Sequence, residues 1–168
     1  MDLRTLVDVS QLVAAATVVG GTIFALLQLR EIRRQRQEAA ALDVLRTLMD
    51  PDFAEAMMRV TNLPDGVGLR QMREAGPEVE KAATLMATTF EAIGVMVHRG
   101  IAPLPLAQDL IGGIVVVMWR RLAPWIQELR IEQDNPSDSE WFQWLAEQFE
   151  RRGGKKSVAY IAHRDWEP

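Results

Sequence analysis

The sequence contains no cysteine and only two histidines among its 168 residues. Without cysteine, disulfide bonds and thiolate metal sites are excluded. The signatures H-E-x-x-H, G-x-S-x-G and the phosphate-binding Walker loop are also missing. A histidine-based catalytic triad therefore has little support, and we expect no enzyme activity, no cofactor and no metal ion.

Charge is missing from one long stretch, residues 9–29. A helix of this length is about 30 Å long, which matches the hydrocarbon thickness of a bilayer. Four arginines follow at once: Arg30, Arg33, Arg34 and Arg36. Positive charge on one side of a span places that side in the cytoplasm, and arginines there also contact lipid headgroups. We expect a single-pass helix in the inner membrane, with residues 1–8 outside.

Two other interpretations of residues 9–29 fit less well. A signal peptide has its positive charge before the apolar region and a small-residue cleavage site after it. Here the order is reversed, because Asp2, Arg4 and Asp8 precede the run and the arginines follow it. A buried helix of a globular domain is the second alternative, but the uncharged run is long for one.

Small residues recur at Thr17, Gly21 and Ala25 inside the expected span. Small residues every four positions let two helices approach closely in lipid, where packing drives association. The spacing therefore indicates a face for self-association. Gly, Ala and Thr are also common in membrane helices without any such role.

Net charge is unevenly distributed along the chain. Residues 1–29 carry a net charge of −1 and residues 30–36 carry +3. Because the whole chain carries −4, the remaining residues carry −6. An acidic domain is a poor binder of the phosphate backbone. We therefore expect no nucleic-acid partner.

Helical signals cover the rest of the chain. Apolar residues repeat at spacings of three and four, which predicts a central helix: Val79, Ala82, Met86, Phe90, Ile93 and Val97. Asp50-Pro51 and Pro77 have the chemistry of helix starts, and Gly100 that of a helix end. Pro124 should kink or restart a helix, and Ser137 to Glu140 form a capping-box sequence.

These signals predict an all-α fold in which the membrane helix continues into a compact cytoplasmic helical domain. The expected segments are residues 1–8 outside, 9–29 in the membrane, 30–50 juxtamembrane, 51–152 in the domain and 153–168 in a polar tail. We expect the domain to pack around a set of apolar side chains: Phe90, Ile93, Ile111, Ile114 and Trp141.

Glu91 stands out because it lies in an otherwise apolar helix, with His98 two turns further along. With Asp109 and Arg120, these residues form a candidate polar site for a ligand or ion. The alternative is structural, since a buried carboxylate must be paired and arginines are available. Trp119, Trp125, Trp141 and Trp144 either line a groove for a partner or belong to the core and its edge.

Four sequence segments together resemble a known bacterial family: "LQLREIRRQR", "TTFEAIGVMVHRGIAP", "MWRRLAPWIQELR" and "EWFQWLAEQF". The chain resembles the family catalogued as domain of unknown function 4760 over nearly its whole length except the tail. The resemblance implies a small, membrane-anchored helical protein. It implies no activity and supplies no catalytic residues.

For function we expect a membrane-anchored interaction or scaffold protein that forms a homo-oligomer and binds a protein partner. The alternative is a regulatory membrane protein that senses a ligand or ion through the polar residues around Glu91. A hydrolase is the least favoured class.

Overall fold

The computed structural model describes residues 3–153, 159–162 and 164–167, with side chains except at 3–16, 33, 34, 36–38, 40, 41, 43 and 159. Seven helices occur in these ranges: α1 (Leu3–Leu48), α2 (Pro51–Thr61), α3 (Leu69–Ala75), α4 (Pro77–His98), α5 (Leu104–Glu132), α6 (Glu140–Gly153) and α7 (Ala159–Ala162). The described residues contain no strand, which confirms the all-α prediction.

Helix α1 runs for 46 residues without interruption, as the lack of any breaker before Asp50 predicts. The chain divides into two compact units, Met1–Ala39 and Ala40–Pro168. No helix in the described part of the chain is both long enough and apolar enough to cross a bilayer. The side chains of residues 9–16, which begin the predicted span, lie outside the described residues.

Several helix ends are set by local residues, as predicted. The Asp50 carboxylate accepts hydrogen bonds from the backbone N–H of Asp52 (2.8 Å) and of Phe53 (3.3 Å), so it caps α2. Pro51 and Pro77 occupy the first positions of α2 and α4, where a missing N–H costs nothing. Gly100 follows α4 with φ +70°, a conformation that glycine adopts without strain.

The second unit is built around α4, which packs most extensively against α2 and α6 and also contacts α3 and α5. Three ring contacts connect four helices through the core. Phe90 of α4 meets Phe53 of α2 edge-on at 6.0 Å and Phe142 of α6 at 5.1 Å. Phe142 in turn meets Trp119 of α5 at 5.2 Å. These contacts fix how the helices pack around α4.

The predicted core residues lie where expected or at the edge of the core. Phe90, Ile93 and Ile111 are buried, whereas Ile114 and Trp141 are half-buried. Of the four helical tryptophans, Trp125 is buried and Trp119 and Trp144 pack against the core from its edge. The packing therefore supports the interpretation that these tryptophans belong to the core and its edge.

Pro124 does not restart a helix, because α5 continues through it to Glu132. A proline has no N–H, so the carbonyl of Arg120 loses its usual partner one turn later. The N–H of Gly66, in the loop between α2 and α3, donates to that carbonyl at 3.1 Å. Val67 donates to the carbonyl of Arg121 at 3.0 Å. The loop thus replaces the hydrogen bond that the proline removes.

Side chains of α5 secure the same region. The Arg121 guanidinium donates to the carbonyls of Thr61 and Leu63, at the end of α2. The Glu128 carboxylate accepts from the N–H of Leu69 at 2.7 Å, which satisfies the start of α3. Arg73 of α3 pairs with Glu132 at 2.7 Å. Side chains of α5 therefore hold the connection between α2 and α3 in place.

Candidate functional site: the α4–α6 seam

Glu91 lies where α4 faces the first turn of α6. We call this region the α4–α6 seam, formed by Glu91, Gly94 and His98 of α4 with Trp141, Phe142 and Trp144 of α6. Glu91 Oε2 accepts a hydrogen bond from the backbone N–H of Phe142 at 2.8 Å. The first N–H groups of a helix have no partner within the helix, and a carboxylate there is favoured by the helix dipole. Glu91 therefore caps α6 from a neighbouring helix.

The capping box predicted from Ser137 and Glu140 does not start α6. The helix begins at Glu140, and Ser139 before it has φ +55° instead of the extended conformation of an N-cap residue. The Ser139 hydroxyl contacts the Asp138 carboxylate at 3.0 Å and not the helix backbone. The local cap fails because the chain turns sharply at Ser139, and Glu91 supplies the missing acceptor.

The expected ion pair between Glu91 and an arginine is also absent from the described residues. Arg121 is engaged with the carbonyls after α2, and Arg120 pairs with Glu150 of α6 at 3.7 Å. Partial burial raises the pKa of Glu91 above its usual range. The N–H groups of Phe142 and Trp141 oppose this rise, whereas the negative charges of Glu140 and Asp138 add to it. Among the described residues, the groups that stabilise the charged carboxylate are the backbone N–H groups of the first turn of α6.

Gly94 lies one turn beyond Glu91 and is buried against α6. A Cβ atom at this position would be 2.4 Å from the carbonyl oxygen of Trp141 and 2.8 Å from its carbonyl carbon. Only a residue without a side chain allows the backbones of α4 and α6 to approach this closely. Glycine inside a helix is otherwise unfavourable, so a glycine in the middle of the apolar pattern of α4 is a sequence signal of close packing.

His98, one turn further, contacts two tryptophan rings. Its ring centroid is 4.4 Å from that of Trp141 and 5.5 Å from that of Trp144, and it meets the second ring edge-on. The two tryptophans are themselves 6.0 Å apart at 73°. The imidazole is exposed, and its ring forms a triangle of contacts with the two indole rings that extends the packing of α4 on α6.

The other two members of the predicted polar site lie on α5. Arg120 lines an open groove of about 560 Å³ between α5 and α6, together with Gly112, Val116 and Glu150. Asp109 is exposed near the start of α5 and is not among the residues that line this groove. Within the described part of the chain, no three His, Asp or Glu side chains are placed to hold a metal ion. Glu91 and His98 thus share one seam, while Arg120 belongs to another surface.

The residues predicted for helix association and topology lie on α1. Thr17, Gly21 and Ala25 are exposed, and a Cβ atom at Gly21 would meet nothing within 4 Å. Arg30 is exposed, and the side chains of Arg33, Arg34 and Arg36 lie outside the described residues. The intervening apolar side chains are 53% to 69% exposed: Val18, Val19, Ile23, Phe24, Leu26, Leu27 and Leu29.

Comparisons with known proteins give a family but no function. The model of a domain of unknown function, DUF4760, matches residues 15–149. No curated protein and no solved structure was found to match the chain. The match covers most of the chain, including every residue of the α4–α6 seam. The chain therefore belongs to the DUF4760 family.

Proposed function

We propose that this protein is a membrane-anchored helical interaction protein, held in the bacterial inner membrane by residues 9–29 of α1 with its domain in the cytoplasm. The observation that carries the proposal is the exposure of seven large apolar side chains between Val18 and Leu29. They are spread around the helix, and burial of such a side chain is worth about 1.5–3 kcal/mol. An apolar surface of this extent requires a cover, and a bilayer covers a helix on every side.

Two further features of α1 fit a lipid environment. The Thr22 hydroxyl donates to the carbonyl of Val18 at 2.8 Å, so a polar group in this run is satisfied within its own helix. The arginines that begin at Arg30 follow the apolar run directly, and their charge favours a cytoplasmic location for the domain.

Self-association is the second part of the proposal. Thr17, Gly21 and Ala25 are exposed on one face of α1, and the space beside Gly20 and Gly21 is open. Close backbone approach along such a face favours helix pairing in lipid. A second copy of the chain is the partner that this face fits.

The alternative of a ligand- or ion-sensing regulator has less support. The Glu91 carboxylate accepts a hydrogen bond from the first turn of α6, and the exposed His98 ring contacts two indole rings. Neither residue lines the groove between α5 and α6 that contains Arg120. The seam is instead suited to fixing α6 against α4.

Membrane association is tested by placing one charge in the expected span. Arginine at the centre of a span costs about 2.5–3.5 kcal/mol, which is similar to the whole gain from inserting this run. We expect Val19→Arg to release the protein from membranes on alkaline extraction, while the wild type is retained. The control is Leu42→Arg, an exposed position on the same helix outside the span, which should leave retention unchanged. Extraction of the wild type itself would overturn the proposal.

Self-association is tested separately with Gly21→Ile, which places a branched side chain on the small-residue face. We expect the mass of the detergent-purified complex to fall to that of the monomer. Val19→Ile adds bulk on the opposite side of the helix and should leave the complex intact. If both variants keep the wild-type mass, this face is not the interface.

A further inference from the structure

The end of α1 carries apolar side chains that the domain leaves uncovered. Leu42, Leu45 and Met49, which we call the α1 stripe, are 55%, 37% and 82% exposed. Met49 follows the last residue of α1, and its N–H still donates to the carbonyl of Leu45 at 3.0 Å. Val44 and Leu48, on another side of the same turns, pack into the core of the domain. This part of α1 thus has two apolar sides, and the described domain covers one of them.

The spacing of the α1 stripe fits a second copy of the same helix. Its members are separated by three and then by four residues, which is the spacing of the a and d positions in a coiled coil. In a coiled coil, each of these side chains inserts between four side chains of the facing helix. Two identical helices that lie side by side in parallel meet this requirement with their own stripes. The stripe is therefore complementary to itself.

The bilayer is a poor cover for the α1 stripe. Leu42 follows Leu29 by 13 residues, which corresponds to about 20 Å of helix, and the four arginines lie between them. The headgroup region adds only about 5–7 Å on each side of the hydrocarbon. A helix that leaves the hydrocarbon at Arg30 therefore carries the stripe beyond the lipid.

The heptad of the α1 stripe also continues that of the small-residue face. Gly21 precedes Leu42 by three heptads, and Thr17 precedes Leu45 by four. Pairing of two α1 helices at Thr17 and Gly21 would thus bring the two stripes to the same seam. The a and d positions between the two sets are polar: Gln28, Glu31, Gln35 and Glu38. The apolar contact beyond the span is therefore confined to the stripe.

We propose that the α1 stripe packs against the stripe of a second copy of this chain, side by side and in parallel. This inference rests on the proposed function, because three side chains per copy bury far less than the roughly 1,200 Å² of a stable interface. Helices anchored in one bilayer are held close to each other, so a small contact is sufficient. The stripe adds a contact outside the membrane to the pairing of the small-residue face.

The test is disulfide cross-linking of the full chain, which has no cysteine of its own, in vesicles that contain only the purified protein. Met49→Cys places a thiol in the α1 stripe. Met58→Cys is the matched control, because Met58 lies on α2 and is 67% exposed. With copper phenanthroline as the oxidant, we expect Met49→Cys to form linked dimers several times faster than Met58→Cys. The difference should persist when the protein is diluted with lipid, which suppresses random collisions.

A second set of variants tests whether apolar packing causes the cross-link. In the Met49→Cys chain, Leu42→Glu and Leu45→Glu together place like charges on the facing stripes and should abolish the fast reaction. Both leucines are exposed, so the fold does not depend on them. Met58→Glu with Thr84→Glu adds the same charge at exposed positions of the domain and should leave the reaction unchanged.

Equal cross-linking rates of Met49→Cys and Met58→Cys overturn the inference. Protection of Met49→Cys from an aqueous maleimide without dimer formation also overturns it, because lipid or the chain itself then covers the stripe. Alkaline extraction of the same vesicles separates this inference from the proposed function. Retention without preferential cross-linking overturns the inference alone, whereas extraction of the protein overturns both.

Discussion

Replacement of Gly94 by alanine should loosen the α4–α6 seam. The new Cβ atom would lie 2.4 Å from the carbonyl oxygen of Trp141 and 2.9 Å from its Cβ atom. The opposing atoms next to the clash belong to backbone, so a side-chain rotation cannot relieve it and α6 must move. Movement of α6 also stretches the hydrogen bond from Phe142 to Glu91, which is 2.8 Å long.

The magnitude follows from these contacts. Overpacking costs about 1–3 kcal/mol, and a charge-assisted hydrogen bond contributes about 1.5–3 kcal/mol when it is lost completely. Alanine gains about 0.5–1 kcal/mol over glycine in a helix interior. We therefore expect a net loss of about 2–3 kcal/mol in the free energy of unfolding. For a chain of this length, Tm should fall by roughly 5–10 °C.

Gly113 provides the matched control, because it lies inside α5 and a Cβ atom there would meet nothing within 4 Å. Gly113→Ala should raise the free energy of unfolding by about 0.5–1 kcal/mol. Urea unfolding followed by tryptophan fluorescence reports on the domain that holds Trp141 and Trp144. The reasoning is refuted if Gly94→Ala is as stable as the wild type, or if both alanine variants change stability equally.

Two other substitutions test the contacts around the seam and α5. The raised pKa of Glu91 means that the folded state binds its proton more tightly than the unfolded state does, so the stability that this residue contributes at low pH is lost as pH rises through the raised pKa. Glu91→Gln removes the titrating group. The free energy of unfolding of the variant relative to the wild type, measured by urea unfolding at each pH, should therefore improve as pH rises through the raised pKa. The opposite trend would contradict the burial argument. Arg121→Met should cost about 2 kcal/mol because two carbonyls lose a charged donor, whereas Arg120→Met, whose exposed pair with Glu150 spans 3.7 Å, should cost less than about 0.5 kcal/mol. Equal effects of the two neighbouring arginines would show that the α2–α3 connection does not depend on Arg121.

The helices whose ends could be predicted are those with local determinants. Asp50, Pro51 and Pro77 act on groups within three residues, so their effect is visible in a short window of sequence. The periodic apolar residues of α4 likewise identify its buried face without knowledge of any partner. These signals were sufficient for the all-α class and for most helix boundaries.

The helix restart expected at Pro124 and the cap expected at Ser137 are wrong because the deciding residues lie far away in sequence. Pro124 does not interrupt α5 because Gly66, 58 positions earlier, binds the freed carbonyl of Arg120. The start of α6 is satisfied by Glu91 and not by Ser137, at a separation of 51 residues from Phe142. A local rule identifies an unsatisfied backbone group but cannot identify which distant residue satisfies it.

The candidate polar site shows the same limit. Helical spacing correctly placed Glu91 and His98 on one side of α4, because that relation is local. Their role depended on what lies opposite, and the structure places the first turn of α6 there. Asp109 and Arg120 were added on chemical grounds alone, and Arg120 instead pairs with Glu150.

The central claim is that residues 9–29 of α1 lie in a bilayer, and the absence of cysteine makes it directly measurable. Single cysteines at Val18, inside the span, and at Gln35, beyond it, can be labelled with a membrane-impermeant maleimide without background. In intact membranes we predict no labelling of Val18→Cys until detergent is added, and labelling of Gln35→Cys only from the cytoplasmic side. Labelling of both positions at the same rate in intact membranes would contradict the account.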